Sequence, residues 1–251
     1  STWNKPLALL APVSAGALAV QYCRGTMTEA GLDYASLFDV HEKEVIEWDV
    51  STGRRRTRKR MVVGGDRAFH EQFAIEGFHG GRNECYTCGP SEVDQWIDVD
   101  MIGAYTTGMV SVRRIAFRKS FETRRLKDFL GDVLGVAWIE FRYPKPVQYP
   151  GLPVRSDERG LIYPLAGQTY ATAPEIALAV RQGCKIVIRR GVIWPWEDDP
   201  DDVRIFEPFV RKIRALRKEY EHDAVFDEYA KLLGNSVYGK TAQSLRDRNA
   251  F

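Results

Sequence analysis

The stretch from residue 133 to 194 constrains the fold more than any other part of the chain. Residues 133–143, VLGVAWIEFRY, predict a buried strand, and an irregular segment with five prolines follows. Thr172 and Glu175 form a capping-box pattern that opens a helix, which Gly183 ends. The apolar run KIVIRRGVIW at 185–194 predicts a second strand. The chain is therefore expected to mix α and β structure.

Composition excludes several classes of protein. With 44% hydrophobic and 28% charged residues, the 251-residue chain is not disordered, collagen-like or a coiled coil. No apolar run reaches eighteen residues, so a membrane-spanning helix is not expected, and the apolar residues 6–20 are interpreted as buried domain material. Four cysteines make no disulfide framework and favour a reducing, cytoplasmic location. The formal charge of +2 favours no class of partner.

A basic hairpin is predicted near the start of the chain. Residues 44–50 alternate apolar and polar side chains, a Ser-Thr-Gly turn follows, and residues 54–63 form the second strand. That strand carries six basic residues within seven positions, among them Arg55 and Arg58. Two interpretations stay open, a solvated surface strand and a contact to the backbone of a nucleic acid.

Two weaker signals follow. Gly80 and Gly81 beside Arg82 would let backbone amides approach an anion, although a simple bend between strands explains the same residues. Cys85 and Cys88 are spaced as zinc ligands, but a second ligand pair is missing and residues 84–87 are interpreted as a strand.

Residues 96–110 begin as an apolar strand interrupted by acids. Asp98 and Asp100 are two residues apart and therefore share one face of that strand. A carboxylate among β-branched and aromatic residues is costly unless a cation meets it, and a divalent metal ion is the expected cation. The alternative is that Asp98 only caps the next element.

Two helices are predicted at the end of the chain, over residues 208–220 and from about 223 to 243. On the second, Lys231, Asn235 and Tyr238 lie along one stripe at i, i+4 and i+7. A cation, an amide and an aromatic ring in this order suit the triphosphate, sugar and base of a nucleotide. An ordinary amphipathic helix would not explain the helix-poor residues that crowd into it: Gly234, Asn235, Ser236 and Gly239.

These residues resemble the motifs of family B DNA polymerases. The segment from Lys231 to Gly239, KLLGNSVYG, is similar to motif B on the fingers helix of that family. Asp100 followed by Tyr105 resembles motif A. Phe78-His79-Gly80-Gly81 is similar to the Tyr-x-Gly-Gly segment that touches the template strand. The resemblance spans about residues 78–243, and its middle resembles the protein-primed branch. The expected subgroup is a mobile-element polymerase, either protein-primed or primer-independent.

The resemblance implies a right-hand polymerase fold of the α/β (α+β) class. It would have an antiparallel palm sheet and two antiparallel fingers helices. Residues 1–77 would be a connector region with the basic hairpin, 78–205 the palm with an αβ insertion, and 206–251 the fingers.

The resemblance also implies site residues and ligands. Asp100 and Lys231 would be catalytic, and Asp100 would hold two Mg²⁺ ions with the backbone carbonyl of Met101, Mn²⁺ being the alternative ion. Residues implied to bind the dNTP are Met101, Tyr105, Arg214, Arg217, Lys218, Lys231, Asn235 and Tyr238. Residues implied to bind template-primer DNA are Arg55, Arg58, Gly80, Gly81, Arg82 and Gly239.

One carboxylate cannot organise two metal ions, and the family's Asp-Thr-Asp turn is not found before Phe251. We therefore expect part of a DNA polymerase, inactive alone, that needs a second polypeptide or the remainder of the enzyme to supply this turn and the thumb. A priming protein is a further expected partner, and a membrane is not. Two alternatives are a non-catalytic nucleic-acid-binding module and a small zinc-dependent regulatory domain built on Cys85 and Cys88.

Overall fold

A computed structural model describes residues 14–86, 88–90, 97, 99–101, 103–158 and 160–241. The helices are α1 Ala15–Glu29, α2 Tyr34–Leu37, α3 Gly65–Glu76, α4 Ala104–Val110, α5 Ala173–Arg181, α6 Glu207–Glu219 and α7 Ala224–Thr241. The strands are β1 Val40–Asp49, β2 Arg54–Val63, β3 Phe121–Glu122, β4 Leu134–Arg142, β5 Val154–Ser156, β6 Gly160–Ile162, β7 Ala166–Thr172 and β8 Lys185–Trp194. No helix in these described ranges is long and apolar enough to cross a membrane.

The chain divides into two compact units, each assembled from separate segments. The helical unit comprises Ser1–Val62, Met101–Arg114 and Asp199–Phe251. The sheet unit comprises Val63–Asp100 and Ile115–Asp198. Segments from both ends of the sequence meet in the helical unit, because their apolar faces share one core. The assignment of residues 1–77, 78–205 and 206–251 to polymerase regions stays a prediction.

The core of the helical unit lies among α1, α4, α6 and α7. Helix α1 begins where the Ser14 hydroxyl accepts a hydrogen bond from the Ala17 amide at 3.2 Å. Its buried residues Ala19, Cys23 and Met27 recur every fourth position, so they form one apolar stripe. The other buried core side chains on these helices are Met109, Phe209, Val210, Ile213, Leu233 and Val237.

The sheet unit is built on an antiparallel sheet with strand order β3-β8-β4-β7. Alternate residues of β4 pack in two different hydrophobic cores, because successive side chains on a strand point to opposite faces. Ala137, Ile139 and Phe141 pack in the core that includes α5, whereas Val136 packs in a second cluster with Phe73 of α3. Both faces of the central strand are therefore covered.

Most elements expected from the sequence are confirmed. The hairpin is β1–β2, the strands near 133–143 and 185–194 are β4 and β8, and the last two helices are α6 and α7. The Glu175 carboxylate accepts hydrogen bonds from the backbone amide and the hydroxyl of Thr172, both at 2.7 Å, which completes the predicted capping box. The fold class, mixed α and β with an antiparallel sheet, is also confirmed.

Two predicted strands are wrong where the structure describes them. Residues 84–86 and the described residues 97 and 99–101 adopt neither helix nor strand. An extended segment becomes a strand only when its backbone pairs with a neighbour, and no strand of the described chain pairs with either segment. Thr87, Trp96, Asp98 and Ile102 lie outside the described residues.

Candidate active site

Helix α4 carries the first group of predicted site residues. It begins after Gly103, whose backbone is left-handed at φ 63° and ψ 39°, a conformation that suits glycine. The Gly103 carbonyl accepts hydrogen bonds from the Thr107 amide at 2.8 Å and from the Thr106 hydroxyl at 3.0 Å. This turn fixes where the helix starts, and so sets the direction of the Tyr105 side chain.

Tyr105 stacks on Tyr238 of α7. The two ring centroids are 4.2 Å apart and the ring planes differ by 18°. Tyr105 remains 45% exposed, whereas burial raises the pKa of Tyr238, with the neighbouring Tyr105 as a smaller cause. The residues that resemble motif A and motif B therefore meet within the helical unit, and one face of the Tyr238 ring is occupied by Tyr105.

Gly234 lets α4 approach α7 beside this stack. A Cβ atom at Gly234 would lie 3.0 Å from Cγ2 of the buried Thr106 and 3.6 Å from Cγ2 of Ile213. The sequence argument left this helix-poor glycine without a structural explanation, and helix packing accounts for it. Gly239 differs, because a Cβ atom there would meet nothing within 4 Å among the described residues.

The stripe of Lys231, Asn235 and Tyr238 is present on α7. Lys231 and Asn235 are exposed, and Tyr238 is half-buried by Tyr105. Lys231 Nζ lies 3.5 Å from the exposed Glu228 carboxylate, one helical turn earlier. An exposed pair of this kind contributes little to stability, so the ammonium group is available to an anionic ligand.

The three cations of α6 that were predicted to bind the nucleotide differ in their surroundings. Arg217 forms a two-pronged ion pair with Asp227 of α7, at 2.7 and 3.1 Å. The hydrogen bonds that Arg217 donates to the Asp227 carboxylate lower the pKa of Asp227 and raise the pKa of Arg217. Arg214 donates to the Thr107 hydroxyl at 3.3 Å, and Lys218 is exposed. Arg217 therefore joins two helices, while Lys218 is the less constrained cation.

Asp100 and Met101 are exposed, and Asp100 forms no hydrogen bond or ion pair with another residue that the structure describes. Such a carboxylate is a suitable oxygen donor for Mg²⁺ or Mn²⁺. No group of three His, Cys, Asp or Glu side chains close enough to hold a metal ion occurs in the described part of the chain. The described residues therefore fit one part of a divalent-metal site.

The segment from Phe78 to Arg82 is anchored to the sheet unit on several sides. His79 Nε2 is 2.7 Å from the Tyr170 carbonyl, and Arg155 donates to the Phe78 carbonyl at 2.8 Å. Arg82 donates to the Pro150 carbonyl at 2.9 Å, and its guanidinium lies 4.0 Å from the Tyr163 ring centroid. Arg82 also pairs with Glu84. Gly80 and Gly81 are exposed between these anchors, so their backbone is held in a defined position.

The remaining predicted residues lie at the surface. Arg55 and Arg58 are exposed on β2, and Gly239 is exposed on α7. Cys85 and Cys88 are exposed and form no disulfide bond with a described residue. His79, which could have been a third zinc ligand, has its Nε2 atom on the Tyr170 carbonyl. The zinc-dependent alternative thus has no supporting cluster within the ranges described.

Sequence reasoning did not find Thr106, Thr107 or Asp227. Their roles depend on contacts between helices that are far apart in sequence, as with Thr106 and Gly234. The only available signal was the unexpected glycine in the middle of α7, which could have indicated a close approach by another element.

The comparisons with known proteins agree with this geometry. Residues 77–251 match the family described as DNA polymerase type B, organellar and viral. The chain is 37% identical over 245 residues to the primer-independent DNA polymerase PolB of Escherichia coli, covering 96% of this chain and 28% of that protein. Its fold is similar to that of Phi29 DNA polymerase complexed with primer-template DNA, with a TM-score of 0.52 and 13% identity. That match covers 92% of this chain and 36% of the Phi29 chain.

The fold and the motifs thus define a chain of the polymerase class. It belongs to the family of type B DNA polymerases, organellar and viral. The chain spans about a third or less of the length of these two relatives.

Proposed function

We propose that this chain is part of a DNA-directed DNA polymerase that transfers nucleotides from dNTPs to a 3′-hydroxyl under the direction of a template. The observation that carries the proposal is the contact of Tyr105 with Tyr238, because it joins two segments that resemble the nucleotide-binding motifs of the family. Family membership and the 37% identity to a primer-independent DNA polymerase support the same reaction.

Asp100 is proposed to hold divalent metal ions together with the carbonyl of Met101. Magnesium or manganese, when bound, would neutralise charge on the phosphates and lower the barrier to attack by the 3′-hydroxyl. The exposed Asp100 carboxylate supports this role. The absence of a three-residue ligand cluster among the described residues supports a second proposal, that further carboxylates come from another segment.

Lys231, Arg214 and Lys218 are proposed to bind the triphosphate. Catalysis of phosphoryl transfer depends mainly on positioning and on neutralising charge, and exposed cations on two packed helices suit that task. Arg217 is proposed to act less directly, because its guanidinium is already bound by Asp227. Asn235 is proposed to contact the nucleotide from the same stripe of α7.

Tyr105 is proposed to lie against the sugar of the incoming nucleotide and to exclude a ribose 2′-hydroxyl. Tyr238 is proposed to contact the new base pair with the ring face that Tyr105 leaves free. The stack supports both roles, because it fixes the two rings relative to each other without covering Tyr105 completely.

Template-primer DNA is the proposed nucleic-acid partner, with a priming protein as a further candidate partner. Gly80, Gly81 and Arg82 would contact the template strand, and their anchored backbone supports a fixed contact surface. Arg55 and Arg58 would contact phosphates, and Gly239 would allow DNA to approach α7 closely.

A reconstitution assay tests the proposal. The purified 251-residue chain is incubated with template-primer DNA, Mg²⁺ and dNTPs, alone and with a separate polypeptide that carries the Asp-Thr-Asp turn and thumb of a close homologue. We expect no extension by the chain alone and extension by the mixture. DNA binding without extension in the mixture would favour the alternative of a non-catalytic nucleic-acid-binding module.

A further inference from the structure

Thr107 of α4 contacts a cation of α6. Its hydroxyl accepts a hydrogen bond from the Arg214 guanidinium at 3.3 Å, and both side chains are exposed. The two residues before it, Tyr105 and Thr106, lie against α7. Three consecutive residues of α4 therefore reach the last two helices of the helical unit, and Thr107 is the one that binds a basic side chain.

The acceptor of this hydrogen bond is uncharged, which sets Arg214 apart on α6. Three other cations of the helix have carboxylate partners, and these pairs are Arg211 with Glu207, Lys212 with Glu29, and Arg217 with Asp227. Arg214 has no ion pair with any carboxylate that the structure describes. A hydroxyl fixes the position of a guanidinium without cancelling its charge, so Arg214 keeps its charge and its remaining N–H groups for an anion.

Lys218 lies one helical turn after Arg214, on the same side of α6. It too lacks an ion pair within the described ranges. Like charges at i and i+4 repel each other, and an anion bound between them would remove this repulsion. A triphosphate suits both groups, because a guanidinium binds two phosphate oxygens at once and an ammonium group binds as a point charge. The two cations thus fit a single polyanionic ligand.

We infer that Thr107 is a positioning residue for the triphosphate of the incoming nucleotide. Its hydroxyl holds the Arg214 guanidinium in place, so less rotamer freedom is lost when the phosphates bind. The inference deepens the proposed function and rests on it, because it takes the dNTP as the anion. Thr107 itself contacts neither the nucleotide nor the reacting atoms, so its effect is on substrate binding.

Steady-state primer extension with the reconstituted enzyme is the first test. Thr107→Val keeps a β-branched side chain of similar size and removes the hydroxyl. It should raise the KM for dNTP about fivefold, as expected for one lost hydrogen bond, and leave kcat unchanged. Thr107→Ser keeps the hydroxyl and should retain the wild-type KM.

A double-variant cycle tests whether Thr107 acts through Arg214. Arg214→Ala should raise the KM for dNTP at least as much as Thr107→Val does, and adding Thr107→Val to it should have no further effect. Arg211→Ala is the matched control, because it removes an exposed arginine of the same helix that Glu207 already pairs with. This control should leave the KM unchanged.

A binding measurement on the purified chain separates this inference from the proposed function. Each variant is titrated with inorganic triphosphate in a calorimeter, without DNA or a second polypeptide. Thr107→Val should raise the dissociation constant about fivefold, whereas Thr107→Ser and Arg211→Ala should leave it unchanged.

Three results would overturn the inference. They are an unchanged value of either constant for Thr107→Val, an equal effect of Thr107→Val with and without Arg214, and an equal effect of Thr107→Ser. If the wild-type mixture does not extend DNA, the proposed function fails, and the titration alone then decides whether Thr107 positions Arg214 for phosphates. In that case weaker binding by Thr107→Val supports the positioning role, and absent or unchanged binding overturns it.

Discussion

The ring of Tyr105 stacks on that of Tyr238 at a centroid distance of 4.2 Å, although 132 intervening residues separate them in the sequence. The stack belongs to the helical unit, where Thr106 also reaches Gly234. Two short motifs that resemble polymerase motifs A and B thus form one structural element, and this element supports the assignment of both.

The stack should contribute measurably to stability. Stacked aromatic pairs contribute about 0.5–1.5 kcal/mol beyond the area they bury, so Tyr105→Ala should lower the free energy of unfolding by about 1 kcal/mol. Tyr105→Phe keeps the ring and should have a much smaller effect. Denaturant unfolding of Tyr105→Ala, of Tyr238→Ala and of the double variant measures the coupling. A coupling energy near zero would show that the rings are adjacent without stabilising each other.

The two glycines of α7 should respond differently to alanine. Alanine in a helix interior is favoured over glycine by about 1 kcal/mol, and at Gly239 no described atom within 4 Å opposes the added methyl group. Gly239→Ala should therefore stabilise the chain. At Gly234 the methyl group would lie 3.0 Å from Thr106 Cγ2, so we expect no gain there. Thermal and denaturant unfolding of the two variants provide the comparison.

The Thr106→Ser variant tests whether contact with Thr106 is what prevents Gly234→Ala from stabilising the chain. It removes the Cγ2 methyl group and keeps the hydroxyl that donates to the Gly103 carbonyl. In the Thr106→Ser background, Gly234→Ala should recover the stabilisation seen at Gly239. If Gly234→Ala is equally stabilising in both backgrounds, the close approach of α4 to α7 is not what requires the glycine.

The Arg217–Asp227 ion pair should make stability depend on acid pH. The pKa of Asp227 is lowered by the hydrogen bond from Arg217, so the folded state favours the ionised carboxyl. The pair therefore stabilises the fold at pH values above the unfolded pKa of about 3.9, and the stabilisation decreases as the pH falls through the lower folded pKa. In unfolding curves collected from pH 6 to pH 3, Asp227→Asn should be destabilised at the upper end and approach the wild type at the lower end. If the difference in stability between Asp227→Asn and the wild type stayed constant over this pH range, the ion pair would not be its source.

Arg217 and Lys218 should separate structural from ligand-binding effects. Arg217→Ala leaves Asp227 without its partner and should mainly lower stability. Lys218→Ala removes an exposed cation and should leave stability nearly unchanged, while raising the KM for dNTP in the reconstituted enzyme about tenfold if it contacts the triphosphate. Steady-state kinetics and unfolding are measured on both variants. The division would be contradicted if Lys218→Ala mainly lowered stability and Arg217→Ala mainly raised the KM for dNTP.

The four cysteines should divide into two classes. Burial raises the pKa of Cys23 to about 12 and also raises that of Cys184, whereas Cys85 and Cys88 are exposed. Because the thiolate is the reactive form, a thiol reagent at pH 8 should modify two residues rapidly in the folded chain and four after unfolding. Cys85→Ser with Cys88→Ser should remove the fast phase. Acceleration of that phase by a chelator would instead support the zinc alternative.

The local elements were predictable because their signals are local. The capping box of Thr172, the turn glycine at 53, and the apolar runs of β4 and β8 each depend on neighbours in sequence. The segment before α4 was mispredicted as a strand because pairing decides whether alternating apolar residues form one. Ile97 and Val99 have the right pattern but no paired strand in the described chain.

The candidate site was predictable in its motifs but not in its contacts. The stripe of Lys231, Asn235 and Tyr238 follows from helical spacing alone. The pairing of Arg217 with Asp227 and the approach of Thr106 to Gly234 depend on how α4, α6 and α7 pack, which local sequence does not specify. As a result, Arg217 was assigned to the triphosphate although its guanidinium joins two helices, and the side-chain contact that explains Gly234 was not anticipated.

Primer extension by the reconstituted enzyme with Asp100→Asn tests the central claim most directly. The substitution keeps the size of the side chain and removes the charge that would hold a divalent cation. We expect extension to be abolished while DNA binding by the chain is retained, and we expect Asp98→Asn, the matched control on the neighbouring acid, to retain extension. Undiminished extension with Asp100→Asn would contradict the account, because the proposed metal-binding carboxylate would then not be required.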